Sequence, residues 1–451
     1  MIDGWQPDFN QIVKDKSLFM TKTNGKIYIL FVWIILGAIK LDAQNADMIY
    51  DSSVRSIKLY PGGDQTAYPI MALNGGEQLQ LTFDDLDADV KNYYYSYQLC
   101  NADWTPTMLN TFEYTRGFQN VRISHYRQSS IAFTRYTNYQ ATIPDRNSVP
   151  SVSGNYLLKV FLNGDTSQIV FTKRFMVVDQ KVSIAAQVQQ PFNAQWYNTY
   201  QKLHIAVSTD NRTRVFTPQD IKVVVLQNYV WPNALYLNRP TIFRGNYFEY
   251  SDEASTAMPA GKEWRWIDLR SLRMISERMV RMDKKSNSTD VIVKPDGERK
   301  SQPYLYYRDI NGLYTIESRD NNNPFWQSDY ANVLFSFFPP GNQPYADRNL
   351  YLFGELTQYA TNESSEMVFN PDRGAYEKTL LLKQGFYNYN YVTTSMNEDD
   401  KIINYETAEG HYWDTENVYT VLVYYRPFGA RADELIGYTQ INSLQGRPGL
   451  R

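Results

Sequence analysis

Cysteine and histidine are scarce in this chain, and their scarcity excludes several kinds of functional site. Only one cysteine, Cys100, and three histidines occur among 451 residues. No intrachain disulfide can form, and a zinc site built from several histidines is excluded by count. His125, His204 and His411 lie in separate segments, and the chain has neither a His-x-x-x-His nor a Cys-x-x-Cys pair. We expect Cys100 to be a small buried side chain in a strand.

The chain also lacks the motifs of common enzymes and nucleic-acid-binding proteins. It has no nucleophile elbow, phosphate-binding glycine-rich loop or dinucleotide-binding fingerprint. A net charge of -3, without a sustained basic stretch between aromatic residues, argues against nucleic-acid binding. A hydrolase that uses two carboxylates stays open as an alternative. We predict a protein that is not an enzyme and that uses no cofactor or metal.

One apolar run, at residues 27–39, follows two lysines and precedes the small residue Ala43. This layout predicts a secretory signal peptide, within a leader at 1–43 whose translation begins at Met20. The alternative is a membrane anchor, which needs about 20 apolar residues. Cys100 is far from the cleavage site, so we expect no lipid anchor. Export without disulfides favours the bacterial periplasm.

Aromatic residues are abundant, with 37 tyrosines and 22 phenylalanines, as is typical of chains with many short strands. The clearest strand begins near Gly154, because four alternating apolar residues fall on one face: Tyr156, Leu158, Val160 and Leu162. Asn163-Gly164 tolerates the positive φ of a hairpin turn, and residues 169–178 form the predicted return strand. The Gly154-x-Tyr156 pattern predicts a tyrosine corner. This region is interpreted as an immunoglobulin-like sandwich.

We therefore predict an all-β fold of tandem immunoglobulin-like and early-set β-sandwich domains after a signal peptide. The predicted domains are an immunoglobulin-like sandwich at 44–180, a second sandwich at 181–340, a third at 341–445 and a tail at 446–451. The third resembles the early-set modules appended to glycogen- and starch-acting enzymes. The stretch at 264–285 is ambiguous, because 264–269 alternates like a strand whereas Met274, Ile275, Met279 and Met282 have helical spacing. We favour a strand first, followed by a loop or a helical turn.

Two polar stretches of the first domain are candidate sites. Asp84, Asp85, Asp87 and Asp89 place four carboxylates within six residues. Calcium binds such oxygens, but the spacing lacks the glycine and distal glutamate of a calcium loop, which favours a solvated turn. Residues 104–145 form a long insertion between strands, and long insertions are often functional. Within it we predict strands at 131–134 and 139–143.

Aromatic residues beside proline, asparagine or glutamine are predicted to lie in turns, where exposed rings anchor protein partners. The alternative is that each ring closes the end of its own sandwich. The candidate partner-binding residues are Trp104, Phe192, Trp196, Trp231, Phe325 and Trp326.

Several segments of the first domain resemble a Bacteroidota family once catalogued as a domain of unknown function and later named the type IX secretion system plug protein. The segments that carry the resemblance are Cys100-Asn101-Ala102-Asp103-Trp104, Glu113-Tyr114-x-x-Gly117-Phe118, Tyr136-Thr137-Asn138-Tyr139 ahead of Pro144, and Ser153-Gly154-Asn155-Tyr156-Leu157-Leu158-Lys159-Val160.

The resemblance implies a non-enzymatic periplasmic protein at the inner face of the outer membrane. Its implied partner is the large outer-membrane translocon β-barrel, whose periplasmic opening it would plug. The alternative is a periplasmic glycan-binding protein, with sugar contacts at exposed aromatic residues such as Tyr389, Tyr391 or Trp413. No catalytic residue follows from the resemblance.

Overall fold

The computed structural model describes residues 47–210, 213, 215–397 and 402–445, so the predicted signal peptide and tail lie outside the described residues. Within these ranges the structure has thirty strands, three one-turn α-helices and four short 3-10 helices, which confirms the all-β class. The helices are α1 (Thr111–Tyr114), α2 (Glu253–Thr256) and α3 (Pro324–Gln327). None of the helices in the described ranges has the length and apolar character that a membrane span requires.

Eleven strands build the first sandwich. They are β1 (Val54–Pro61), β2 (Ile70–Ala72), β3 (Leu79–Asp85), β4 (Tyr93–Cys100), β5 (Thr115–Gly117), β6 (Val121–Arg122), β7 (His125–Gln128), β8 (Thr137–Ile143), β9 (Ser148–Pro150), β10 (Gly154–Leu162) and β11 (Ile169–Val178). One sheet has the order β1-β3-β8-β7 and the other β2-β11-β10-β4-β6, while β5 pairs with β9. Cys100 is buried in β4 as predicted, and burial raises the pKa of its thiol to about 12.

The predicted hairpin at residues 154–178 is confirmed. Tyr156, Leu158 and Val160 are fully buried in the core of the first sandwich. Asn163 and Gly164 have φ of 54° and 77°, and the antiparallel strands β10 and β11 flank this turn. The period-2 pattern and the two turn residues agree, so local sequence alone specifies this element.

The tyrosine corner is also confirmed. The buried Tyr156 hydroxyl donates a 2.7 Å hydrogen bond to the backbone oxygen of Val152, and burial raises the pKa of this phenol. We expect Tyr156→Phe to lower the free energy of unfolding by about 1 kcal/mol, because the partly buried Val152 carbonyl loses its donor. Urea denaturation measures the change. Tyr126→Phe is the matched control, since the exposed Tyr126 hydroxyl has no partner among the described residues; an equal loss in both variants would contradict the prediction.

Nineteen strands follow the first sandwich. The first ten are β12 (Val182–Gln189), β13 (Tyr200–Thr209), β14 (Ile221–Gln227), β15 (Leu235–Leu237), β16 (Ile242–Arg244), β17 (Tyr247–Tyr250), β18 (Ala257–Pro259), β19 (Arg265–Asp268), β20 (Met279–Lys284) and β21 (Thr289–Val293). The remaining nine are β22 (Asp296–Gly297), β23 (Tyr314–Ile316), β24 (Tyr330–Phe338), β25 (Arg348–Phe353), β26 (Val368–Asn370), β27 (Ala375–Lys383), β28 (Gly385–Ser395), β29 (Val418–Tyr425) and β30 (Glu434–Asn442).

These strands form two further sandwiches. In the second, the sheet β12-β13-β17-β16, with β18 beside β13, shares a core with the sheet β15-β14-β29-β30. In the third, the sheet β19-β28-β23, with β25 beside β28, shares a core with β20-β21-β24-β27-β26, in which β22 pairs with β24. A further apolar cluster joins β2 and β11 of the first sandwich to β14, β29 and β30 of the second.

The sheets combine strands from both sides of residue 340, the boundary predicted between the second and third domains. Val223 of β14, for example, pairs with Val423 of β29. Strand pairing does not show whether a part of the chain folds on its own, so the predicted domain boundaries remain a prediction. The described residues from 47 onward belong to one compact unit.

Two buried ion pairs connect the first sandwich to the third. The Lys383 ammonium lies 2.6 Å from the Asp84 carboxylate, and both side chains are almost fully buried. The Lys58 ammonium lies 2.7 Å from the Glu355 carboxylate and donates a 2.8 Å hydrogen bond to the backbone oxygen of Tyr314. Burial lowers the pKa of both lysines, while the facing carboxylates act in the opposite direction. We call these pairs the two braces.

The prediction of a solvated turn is wrong for Asp84 and Asp85 and correct for Asp87 and Asp89. Asp84 lies in β3, where its carboxylate accepts hydrogen bonds from Tyr330 at 2.5 Å and from Asn138 at 2.8 Å. Asp85 is buried against Lys91 at 2.9 Å. Lys383, which neutralises Asp84, lies 299 residues away, and short-range sequence does not reveal such a partner, whereas Lys91 follows Asp85 by only six residues. Among the described residues no group of three or more histidine, cysteine or acidic side chains could hold a metal ion.

Candidate interaction surface

The long insertion of the first sandwich contains α1 near its start, and one buried tyrosine anchors this helix. The Tyr114 hydroxyl donates a 3.3 Å hydrogen bond to the backbone oxygen of Tyr97, and its ring packs edge-on against Tyr156 at 6.1 Å. The backbone N–H of Asn110 and the Arg431 guanidinium lower the pKa of the Glu113 carboxyl. The helix therefore has a fixed position.

A glycine sets the path of the chain after α1. Gly117 has φ of 97°, and a Cβ atom there would lie 2.0 Å from the backbone oxygen of Asn147. Only glycine permits this conformation and this close approach. The next residue, Phe118, donates its backbone N–H to the same oxygen at 2.7 Å, and its side chain remains exposed.

The second half of the insertion is fixed to the third sandwich. The backbone N–H groups of Phe133 and Thr134 donate to the two carboxylate oxygens of Asp329 at 2.9 and 3.0 Å. The buried Tyr136 hydroxyl donates to the backbone oxygen of Ser328 at 2.7 Å. The predicted strand at 131–134 is wrong, because these residues form bends on this contact, whereas the strand predicted at 139–143 is confirmed by β8.

The insertion exposes several large apolar side chains although its backbone is held in place. We call residues 105–135 the insertion surface; its exposed apolar residues are Met108, Phe112, Phe118, Tyr126, Ile131 and Phe133. All four residues of its edge strand β7 are exposed as well. The segment contains four arginines and one glutamate, so it is basic in a chain that is acidic overall. Ordered, exposed aromatic residues with arginines are typical of protein interfaces.

Two of the predicted partner-binding residues meet at the junction of the first and second sandwiches. Trp104 and Trp231 pack edge-on with ring centroids 4.9 Å apart. The Arg174 guanidinium lies 5.0 Å from the ring of Trp104 and 5.2 Å from that of Trp231. Trp231 is only 7% exposed, so it could reach a partner only if this junction opened.

Two others lie at one end of the second sandwich. Phe192 is 86% exposed, and the backbone N–H groups of Phe192 and Asn193 donate to the Glu253 carboxylate at 2.7 and 2.8 Å. Trp196 is half-buried and stacks on Tyr200 at 5.2 Å. Phe192 therefore has the exposure that a partner contact needs, whereas Trp196 supports a neighbouring ring.

The last two lie in α3, against the insertion. Phe325 is half-buried and packs on the core of the third sandwich. The ring of Trp326 lies 4.5 Å from the Arg127 guanidinium, and its backbone oxygen accepts a hydrogen bond from Ser130. The six residues thus lie in three places, and their role in partner binding stays a prediction. Sequence reasoning identified the insertion by its length but missed its exposed apolar residues, which no periodic pattern distinguishes from core residues.

The sugar contacts suggested for two tyrosines of the third domain are wrong. Tyr389 and Tyr391 are fully buried, and their hydroxyls donate to the Asp296 carboxylate at 2.9 and 3.1 Å. Their rings belong to the core that β28 contributes, so neither can stack on a sugar. Trp413 is half-buried.

Comparison with known proteins gives two informative matches. The family described as "Type 9 secretion system plug protein 1st domain" matches residues 54–179, which include the whole insertion surface. A solved structure described as a hypothetical protein from Parabacteroides merdae ATCC 43184 is 31% identical, with a TM-score of 0.84. The match covers 88% of this chain and 99% of that one.

Two further solved structures are too dissimilar to indicate a shared fold. The B domain of a biofilm-associated protein matches at 9% identity over 88% of both chains, with a TM-score of 0.16. The BSP domain of a biofilm-associated protein matches at 8% identity over 88% of this chain and 97% of that one, with a TM-score of 0.14. No curated protein matches the chain.

Proposed function

Since this chain belongs to the type 9 secretion system plug family, we propose that it closes the periplasmic opening of the outer-membrane translocon barrel of that system. The family is a non-enzymatic component of a secretion system in the cell envelope. The proposal adds the barrel as the binding partner, the periplasmic side as the location and occlusion as the effect. The observation that supports it most is the ordered, exposed apolar insertion surface within the matched domain.

The construction of the molecule suits occlusion. A plug must present a preformed surface, because every segment that orders upon binding weakens the complex. Here the insertion is held by Tyr114 on one side and by Asp329 on the other. The two braces fix the first sandwich to the third. The binding surface is therefore ordered before the partner arrives.

The insertion surface also indicates the chemistry of the partner. Exposed phenylalanines provide contact area at a small cost in side-chain entropy, and arginines favour an acidic partner surface. We place the barrel contact here, with acidic and apolar residues expected on the periplasmic face of the barrel. Phe192, at the second sandwich, is proposed as a separate contact.

Affinity purification tests the binding partner. We expect the tagged full-length protein, extracted from its native envelope in mild detergent, to retain a very large outer-membrane barrel that mass spectrometry identifies. A tagged periplasmic protein of similar size serves as the control and should not retain the barrel. Reproducible absence of the barrel from the tagged sample would contradict the proposal.

Deletion tests the occlusion itself. Cells without this protein should take up a hydrophilic dye that the outer membrane normally excludes, because the barrel opening is left uncovered. Expression of the wild-type protein should restore exclusion. Unchanged dye uptake in a deletion strain that still assembles the barrel would contradict occlusion, even if binding were found.

A further inference from the structure

A cavity of about 310 Å³ lies where the second and third sandwiches meet, away from the insertion surface. Its wall combines Tyr200 of β13, the end of β14, Asn390 of β28 and the segment at 403–411. Ligand sites in proteins are about 300–1,000 Å³ in volume, so this cavity is at the lower limit. It has room for one small molecule.

Aromatic rings form part of the wall. Tyr200 is held by its stacking on Trp196 and by contact with His411 at 6.4 Å between ring centroids. Trp264, which is almost fully buried, and Tyr405 also line the cavity. Such rings offer apolar faces to a ligand that carries C–H groups.

Three hydrogen-bond donors of the lining have no partner within the described residues. His411 accepts a 3.0 Å hydrogen bond from the backbone N–H of Gly261 at Nδ1, so Nε2 carries the proton. Burial lowers the pKa of His411 to about 4, and the ring is therefore neutral at neutral pH. The side-chain amide groups of Asn390 and Asn404 are oriented because their oxygens accept from Arg299 and Thr407, which leaves both NH₂ groups unused.

Two acceptors of the lining are also unused within the described residues. The Gln227 amide donates to the backbone oxygen of Pro259 at 3.0 Å, which leaves its own oxygen without a partner. The Asn233 amide donates to the Tyr405 hydroxyl at 3.3 Å, so the side-chain oxygen of Asn233 also has no partner among the described residues. A ligand that both donates and accepts hydrogen bonds would satisfy these groups.

The charged residues of the lining offer no free cation to an anionic ligand. The Lys262 ammonium donates to the backbone oxygens of Arg299 and Gln302 at 2.5 and 3.0 Å, and burial lowers its pKa. Glu406 also lines the cavity and is exposed, and its carboxylate would repel an anionic ligand. The ligand that fits is therefore not an anion, and a neutral polar molecule suits both the donors and the acceptors.

We propose that this cavity binds a single uncharged sugar ring, with its hydroxyls at His411, Asn404 and Asn390 and its C–H faces against the aromatic wall. Hydroxyl groups both donate and accept, which matches the three donors and two acceptors. The site is distinct from the barrel contact, so the two activities can be measured separately.

Saturation-transfer NMR with the purified mature protein tests this site. The probes are glucose, galactose, mannose and N-acetylglucosamine at millimolar concentration, with glucuronate as the charged counterpart. We expect saturation transfer to at least one neutral sugar and weaker transfer to glucuronate. Absence of transfer to all four neutral sugars would overturn the proposal, because the cavity would then hold only water.

Two conservative variants locate the binding. Asn404→Asp keeps the oxygen that Thr407 needs but removes the NH₂ donor, and His411→Asn keeps an acceptor for Gly261 but removes the ring N–H. We expect each to weaken binding about three- to tenfold, the value of one hydrogen bond. His125→Asn, at the exposed strand β7, is the control and should bind as the wild type does. Unchanged affinity in both cavity variants would place the sugar elsewhere and overturn the assignment.

Discussion

Replacement of Phe112, Phe118, Ile131 and Phe133 by serine is expected to abolish capture of the translocon barrel. These four side chains are exposed in the free protein, so their removal costs little folding stability. In a complex they would be the buried apolar anchors, and loss of such anchors weakens binding by at least about 3 kcal/mol in total, which is roughly 100-fold. Quantitative pull-down against the solubilised barrel measures the effect.

A matched control distinguishes the specific loss of the insertion surface from a general loss of exposed apolar area. Phe216, Leu305, Val368 and Phe428 are exposed to a similar degree and lie outside the insertion surface. The corresponding fourfold serine variant should capture the barrel as the wild type does. If both fourfold variants capture it equally well, the insertion surface is not the contact.

The largest effect on stability is expected from Lys383→Met. The Lys383 ammonium is the buried counter-charge of Asp84 and also donates to the backbone oxygen of Phe325 at 2.6 Å. Its removal leaves a buried carboxylate without a cation, which costs about 3–5 kcal/mol of unfolding free energy. Chemical denaturation followed by tryptophan fluorescence measures the loss. The first sandwich should separate from the third at lower denaturant concentration than in the wild type.

Two further variants test the electrostatic origin of this loss. The double variant Asp84→Asn, Lys383→Met buries no unpaired charge and should regain more than half of the stability that Lys383→Met loses. Lys285→Met removes an exposed partner of Asp290 and should leave stability unchanged within error. Equal losses in the single and double variants would mean that packing, and not charge, stabilises this junction.

The local elements of the fold were predictable from sequence because their information is local. The β10–β11 hairpin follows from alternation and from Asn163-Gly164, and the tyrosine corner follows from the spacing of Gly154 and Tyr156. The family resemblance depended on the same domain. In the hairpin and in the tyrosine corner, the residues that contact each other lie close together in the sequence.

The remaining features depend on partners that are distant in sequence. The burial of Asp84 requires Lys383, and the position of β14 requires β29. The strand favoured at the start of the stretch 264–285 is present as β19, and bends follow it as the favoured loop requires, but the helical spacing of Met279 and Met282 did not reveal that these residues lie in the edge strand β20. Periodicity records which residues alternate, but it does not identify the sheet that covers them.

The exposed insertion residues were missed for a related reason. Phe112 and Phe133 are apolar residues of the same kind as those in the core, so the sequence does not show that they are exposed. They lie at the surface because the tertiary contacts of Tyr114 and Asp329 fix the backbone of the insertion. The cavity could not be predicted from the sequence either, because its lining comes from separate parts of the chain. Asn390 lies in β28, whereas His411 belongs to the segment at 403–411.

Conductance of the purified translocon barrel in a planar bilayer tests the central claim most directly. Addition of this protein to the periplasmic side should reduce the conductance of the open barrel. Addition of the insertion-surface variant, or of wild-type protein to the opposite side, should leave it unchanged. A barrel that binds the wild-type protein yet conducts as before would contradict the account.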